Sequence, residues 1–240
     1  MMADQGLEPI RSAESLADAA YAQLSEAILF NRLPAGSSLS VPELSERLGI
    51  SRSPAREAVQ RLIHDGLAEY RGRRGTVVSS TTGKEFAALL EVREVLEGLS
   101  ARSAALAGSI SARTELGELH DQLCSILIGD THSEADLVDL DMAFHRLIRR
   151  MSGNLELMVL LDRIQARSHL SMHTLWQGDR NLEAVVAEHA AICGAIVAGE
   201  AEVAEDAART HIALLRGRVL STIEAEEAVR SDEMPTEGAR

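Results

Sequence analysis

The chain has 240 residues, 45% hydrophobic and 25% charged, with a formal net charge of −13. That length suits one large domain or two small ones, and no apolar run approaches the ~20 residues of a membrane span. The N-terminus lacks the basic start and apolar block of a signal peptide, and Cys124 and Cys193, far apart in apolar contexts, read as core thiols of a cytoplasmic protein.

Residues 1–14 are polar and expected to be mobile. From Leu16 to Leu33 an amphipathic helix runs through Leu16, Ala20, Leu24, Ala27 and Ile28 and stops at Pro34-Ala35-Gly36. Leu44 and Leu48 then share one face of a second helix that Gly49 ends. Ser51 can cap a third by accepting a backbone N–H, and Pro54 fits its first turn. In that third helix Ala55, Val59 and Leu62 point inward, leaving Arg52, Arg56, Gln60 and Arg61 to face out. Two β-prone pieces, Ala68–Tyr70 and Thr76–Ser79, flank a basic tip at residues 71–75. Together these predict a winged helix-turn-helix over 15–80, whose exposed arginines suit the major groove.

The charge distribution fits that reading. Residues 1–80 carry nine arginines against ten acidic residues, while 81–240 hold a net −12. Between Arg47 and Arg74 seven arginines meet only Glu57, Asp65 and Glu69, a local net of +4. The positive potential is confined to a DNA-contacting face, and the acidic remainder repels the duplex. Candidate DNA-contacting residues are Ser51, Arg52, Ser53, Arg56, Gln60, Arg73, Arg74 and Gly75.

A polar linker, Ser79 to Gly83, leads into 84–222, where helix-period patterns predict six helices with short connections: 84–107, 112–128, 133–151, 155–176, 181–198 and 201–222. The fold class is therefore mostly α, a winged helix-turn-helix followed by an antiparallel helical bundle. From 223 to 240 the chain is acidic, lacks an apolar face and is expected to be a disordered tail.

Polar residues interrupt the bundle's apolar faces. Asp141 falls in the stripe of Leu137, Leu140, Phe144, Leu147 and Ile148, with His145 one turn on. His189 lies near the centre of the face of helix 181–198, and His211 is backed by Ala204, Ala207 and Ala208. His189 precedes Gly199 by ten residues and His211 follows it by twelve, so a hairpin turning there sets both at similar depth. One carboxylate and three imidazoles can thus converge on a divalent ion such as Zn2+, Ni2+ or Mn2+. Each histidine alone is better explained as a hydrogen-bonded core residue; the four together are not, because a buried unpaired carboxylate is costly. His169 and His173 share the i, i+4 spacing but lack an inward carboxylate, and read as near-surface polar residues. Arg93 projects into the face of helix 84–107 beside Glu97, either as an internal ion pair or as a fork for the carboxylate of a small acid. Ser168 faces inward and could donate to the same acid or simply pack.

Leu33-Pro-Ala-Gly36, Leu44-Ser-Glu-Arg-Leu-Gly49, Ser51-Arg-Ser-Pro-Ala-Arg-Glu-Ala58 and Asp65-Gly-Leu67 resemble a GntR-family transcriptional regulator. Glu91-Val-Arg-Glu-Val-Leu-Glu97, Asp141-Met-Ala-Phe-His145, Glu188-His189 and His211-Ile212 resemble the all-helical FCD effector domain of the FadR subfamily, and six helices match its shorter VanR-like branch. The resemblance implies a homodimer on a palindromic operator, with Arg52 and Arg56 reading bases and Arg73, Arg74 and Gly75 entering the minor groove. It also implies a metal at Asp141, His145, His189 and His211 and a small organic acid as effector, in a regulator read here as a repressor. Val41-Pro42 departs from the charged residues that relatives carry at the start of the second helix.

Two other functions compete. One is a metalloregulator that senses the ion itself. The other is an HD-type helical metallohydrolase, suggested by His120-Asp121; it needs an upstream histidine ligand, and none occurs between His64 and His120.

Overall fold

A computed structural model describes residues 15–128, 134–172 and 182–232. The chain divides into two compact units at Ser79/Ser80.

The first unit contains α1 (Leu16–Leu29), α2 (Val41–Leu48), α3 (Arg52–His64), β1 (Ala68–Tyr70) and β2 (Thr76–Val78). A reciprocal capping box fixes the start of α1: Asp18 N donates to Ser15 Oγ, and the Asp18 carboxylate accepts from Ser15 N. Leu24, Ile28, Leu44, Ala55, Val59 and Leu62 are buried and form the core the periodicity predicts. β1 and β2 pair antiparallel, Ala68 opposite Val78 and Tyr70 opposite Thr76, and Leu39 N donates to Thr76 O to hold the preceding segment on the hairpin's edge. The tip is a 3-10 turn, Gly72–Arg74, closed by Gly75 at φ 71 and ψ −148, a conformation that only glycine adopts without strain.

Two expectations are corrected here. Ser51 occupies the N-cap of α3, but its side chain makes no capping bond. Arg61 does not face out; it pairs with Asp18 and lies over the Tyr21 ring at 4.3 Å, tying α3 to α1.

The second unit comprises α4 (Gly83–Ala107), α5 (Ile110–Ile128), α6 (Glu134–Met151), α7 (Leu155–Met172), α8 (Leu182–Ala198) and α9 (Ala201–Asp232). Thr82 and Glu85 form a second capping box at the start of α4. α4 packs along α9 so closely that a Cβ on Gly98 would stand 2.5 Å from Arg209 Cγ. Leu116, Phe144, Leu161, Ile192, Ile196, Ala204 and Ile212 fill the interior. Gly199, at φ 78, turns α8 into α9. Arg113 closes that end of the bundle, its guanidinium donating to the carbonyls of Ile196 and Val197 (2.7 Å each), Ala105 (2.7 Å) and Gly108 (3.1 Å). A cation there satisfies carbonyls that α4 and α8 leave open at their C-termini.

α9 continues to Asp232, so the tail expected from 223 is helical for its first ten residues. The stretch from Ile223 is rich in Glu and Ala, good helix formers, and no proline or glycine follows Gly217 before Pro235. Residues 1–14 and 233–240, His173 and the side chain of His169 lie outside the description.

Candidate metal and effector site

Three helices deliver the cluster. Asp141 and His145 stand one turn apart on α6, His189 comes from α8 and His211 from α9, and all are buried. Asp141 Oδ1 is 3.8 Å from His145 Nε2 and 3.5 Å from His189 Nε2. One ring nitrogen from each histidine lies within 4.8 Å of those of the other two. Across the α8–α9 hairpin the His189 and His211 rings are 4.7 Å apart, as the spacing about Gly199 predicts. Phe144 stacks on His189 at 4.5 Å and closes that side with hydrocarbon.

A divalent ion fits this donor set. His145 Nε2 and both nitrogens of His189 are buried without a hydrogen-bond partner, an arrangement that costs stability and leaves at least one ring lone pair on His189 unused. Burial, and then repulsion from His211 and His145, hold His189 well below the ordinary imidazole range, in the neutral form that ligates metals. Burial also lowers His211, outweighing its bond to Glu188.

Glu188 orients His211, whose Nδ1–H donates to Glu188 Oε2 at 2.7 Å and so leaves Nε2 with its lone pair. Arg218, two turns along α9 from His211, clamps the same carboxylate with bonds of 2.8 and 3.0 Å. Burial alone would raise the Glu188 carboxyl; hydrogen bonds from His211 and Arg218 overcome it and set the pKa at about 2. Neither role was read from the sequence, although Glu188 adjoins His189.

On α4, Arg93 is buried and donates through Nε to Glu97 Oε1 at 3.2 Å, so the internal ion pair is formed. Glu97 Oε1 also stands 3.7 Å from His145 Nδ1. Burial would raise Glu97, but His145, Arg149 and Arg93 together hold it far below the carboxylate range. Ser168 is buried and its hydroxyl donates to Ile164 O at 2.9 Å. Its single proton is used within its own helix, which corrects the expectation that it donates to an acid. Arg149, absent from the sequence reading, is buried on α6. Its Nε donates to His145 O at 3.1 Å and its Nη1 to Asp162 Oδ1 on α7 at 2.6 Å. His120 stands apart on α5, 3.4 Å from Val186 O.

In the first unit, Ser51, Arg52, Ser53, Arg56 and Gln60 are exposed along α3, and Arg73 and Arg74 are exposed at the hairpin tip beside half-buried Gly75.

Residues 16–78 match the model for bacterial regulatory proteins of the gntR family, and residues 88–214 match the FCD domain. The chain belongs to the GntR family of regulators. A GntR-type DNA-binding domain thus precedes an FCD domain. Among curated relatives, a probable D-xylose utilization operon transcriptional repressor of Paenarthrobacter nicotinovorans is 30% identical over 193 residues, covering 76% of this chain and 79% of that one. The Glc operon transcriptional activator of Escherichia coli K12 is 28% identical, covering 70% and 74%. The fold of Escherichia coli McbR/YncC superposes with a TM-score of 0.75 at 19% identity, covering 87% of this chain and 99% of that one. A putative GntR regulator from Rhodococcus sp. RHA1 gives 0.69 at 23% identity, covering 85% and 97%. These are regulators rather than enzymes, which removes the hydrolase alternative.

Proposed function

We propose that this regulator is a homodimeric repressor whose affinity for a palindromic operator is set by a small carboxylate bound at a metal site in the FCD domain. The observation that carries this reading is the buried cluster of Asp141, His145, His189 and His211 with its unpartnered imidazole nitrogens. Those four residues would hold Zn2+, Ni2+ or Mn2+, with Glu188 and Arg218 fixing the His211 tautomer. When bound, the ion supplies a Lewis acid that attracts a carboxylate.

Arg93 contributes positive charge on α4, and its pairing with Glu97 keeps the guanidinium in place. An acid bound between Arg93 and the cluster would draw α4 toward α6, α8 and α9. That shift passes through the short link after Ser79 to the winged unit and alters half-site spacing. On the DNA side the exposed Arg52, Arg56 and Gln60 would read base edges in the major groove, with Ser51 and Ser53 near phosphates. Arg73, Arg74 and Gly75 would reach the minor groove. Val92, Val95 and Leu99 form an exposed apolar strip along α4, which suits self-association.

The test is fluorescence anisotropy on DNA flanking its own gene, with and without Zn2+, titrated with a panel of small carboxylates. Expected is an acid-dependent change in operator affinity that Arg93→Ala abolishes. Affinity that ignores Arg93→Ala and every acid overturns the reading. A response to metal alone would make the ion the signal.

A further inference from the structure

Next to the histidine cluster is a second set of buried polar groups that the metal reading does not use. Ser100 Oγ on α4, Arg149 Nη2 on α6 and Gln165 Nε2 on α7 are all buried, and none has a hydrogen-bond partner. Each can donate; Arg149 Nη2 and Gln165 Nε2 can only donate.

The three belong to one neighbourhood. Arg149 lies within electrostatic reach of both Glu97 and Arg93 on α4 and bonds to Asp162 on α7. Ser100 is one turn beyond Glu97 on α4 and Gln165 one turn beyond Asp162 on α7, so each unused donor follows by one turn a residue that Arg149 interacts with. Arg149 is also tied to the metal cluster directly, through the His145 carbonyl.

Charge bookkeeping points the same way. In the buried set Arg93 and Arg149 offset Glu97 and Asp141; at its edge half-buried Arg218 offsets half-buried Glu188, and Asp162 is half exposed and solvated. A divalent ion on neutral imidazoles therefore leaves two positive charges uncompensated in a low-dielectric interior.

We infer that Ser100, Arg149 and Gln165 form a second anion subsite, and that the effector is a small di-acid. One acid group faces the histidine cluster and the other is received by these three donors. A carboxylate accepts up to about four hydrogen bonds, enough for all three. The inference rests on the carboxylate reading above and narrows it from acids in general to di-acids.

The experiment is calorimetric titration of the full chain, loaded with Zn2+, with malonate, succinate and malate and with their single-acid counterparts acetate, propionate and lactate. At least one di-acid is expected to bind about ten- to a hundredfold more tightly than its counterpart, the range for a charge-assisted hydrogen-bond set. Arg149→Met is expected to bring that ratio close to one. Should that variant fail to fold, Ser100→Ala and Gln165→Leu take its place, because each removes a donor that bonds to nothing; each is expected to lower the ratio about three- to tenfold. A di-acid preference that survives all three substitutions overturns the inference, as does wild-type protein that binds both classes alike. In both cases single acids still bind and the carboxylate reading stands. If no acid of either class binds, both readings fall.

Discussion

The two units keep their polar chemistry in opposite places. Among the described residues of the winged unit one polar side chain is buried, Ser25, and Arg52 and Arg56 of α3 and the arginines of the hairpin tip are exposed. The FCD unit buries Arg93, Glu97, Asp141, His145, Arg149, His189 and His211 together with several neutral polar groups. Burying charge is expensive, so a fold that needed only stability would fill these positions with hydrocarbon. A duplex is too large to enclose and is met by surface charge. A small ion or metabolite can be surrounded, so residues proposed to bind one belong inside.

The largest effect that sharpens this contrast comes from removing an interior ligand. His189→Ala should lower metal affinity by at least about a hundredfold, read by native mass spectrometry, with operator binding by the effector-free protein kept. If operator binding collapses as well, the division of labour is wrong. Arg56→Ala should do the reverse, costing about 1–3 kcal/mol in operator affinity and leaving metal stoichiometry intact.

Arg113→Ala tests whether the bundle's integrity is independent of its site. Losing four carbonyl contacts at the α4 and α8 termini should cost about 2–4 kcal/mol by chemical denaturation, without changing metal stoichiometry in the folded fraction.

The smallest effect is a pH dependence confined to the FCD unit. His189 and His211 both have folded pKa values below the ordinary 6.5 because burial disfavours their charged forms. The unfolded chain therefore binds protons that the folded chain refuses. Stability is full above about pH 6.5 and falls as pH drops, by up to about 1.4 kcal/mol per pH unit for each proton. Thermal melts of metal-free protein between pH 7.5 and 5.5 should show the loss, and His189→Phe should reduce it. A flat profile would mean that these imidazoles are not buried neutral.

Local rules made much of this legible. The i, i+4 spacing placed Asp141 with His145, and similar distances from Gly199 placed His189 beside His211, because helix rise is constant. The hairpin followed from β-prone residues on either side of a glycine-bounded tip. Lateral partnerships were not legible. Arg149 lies two turns beyond Asp141 on the same helix, but its burial depends on Asp162 and α7, which no periodicity encodes. Glu188 sits beside His189 in sequence, yet its contacts need His211 and Arg218 from another helix. Arg61 looked like surface charge because the pattern of α3 does not reveal that Asp18 and Tyr21 lie opposite. Ser51 shows that a good capping residue in the right place need not form its bond.

The junction between the units is short. Ser79 N is anchored to Leu67 O on the hairpin side, and Thr82 is locked into the capping box of α4, leaving Ser80 and Thr81 between two fixed points. Even counting Thr82, such a tether spans at most about 10 Å. The covalent link between the two units is therefore only about three residues long. In a dimer the separation of the two α4 origins, more than any property of the DNA-binding units, would then ration which operator lengths can be gripped at both ends.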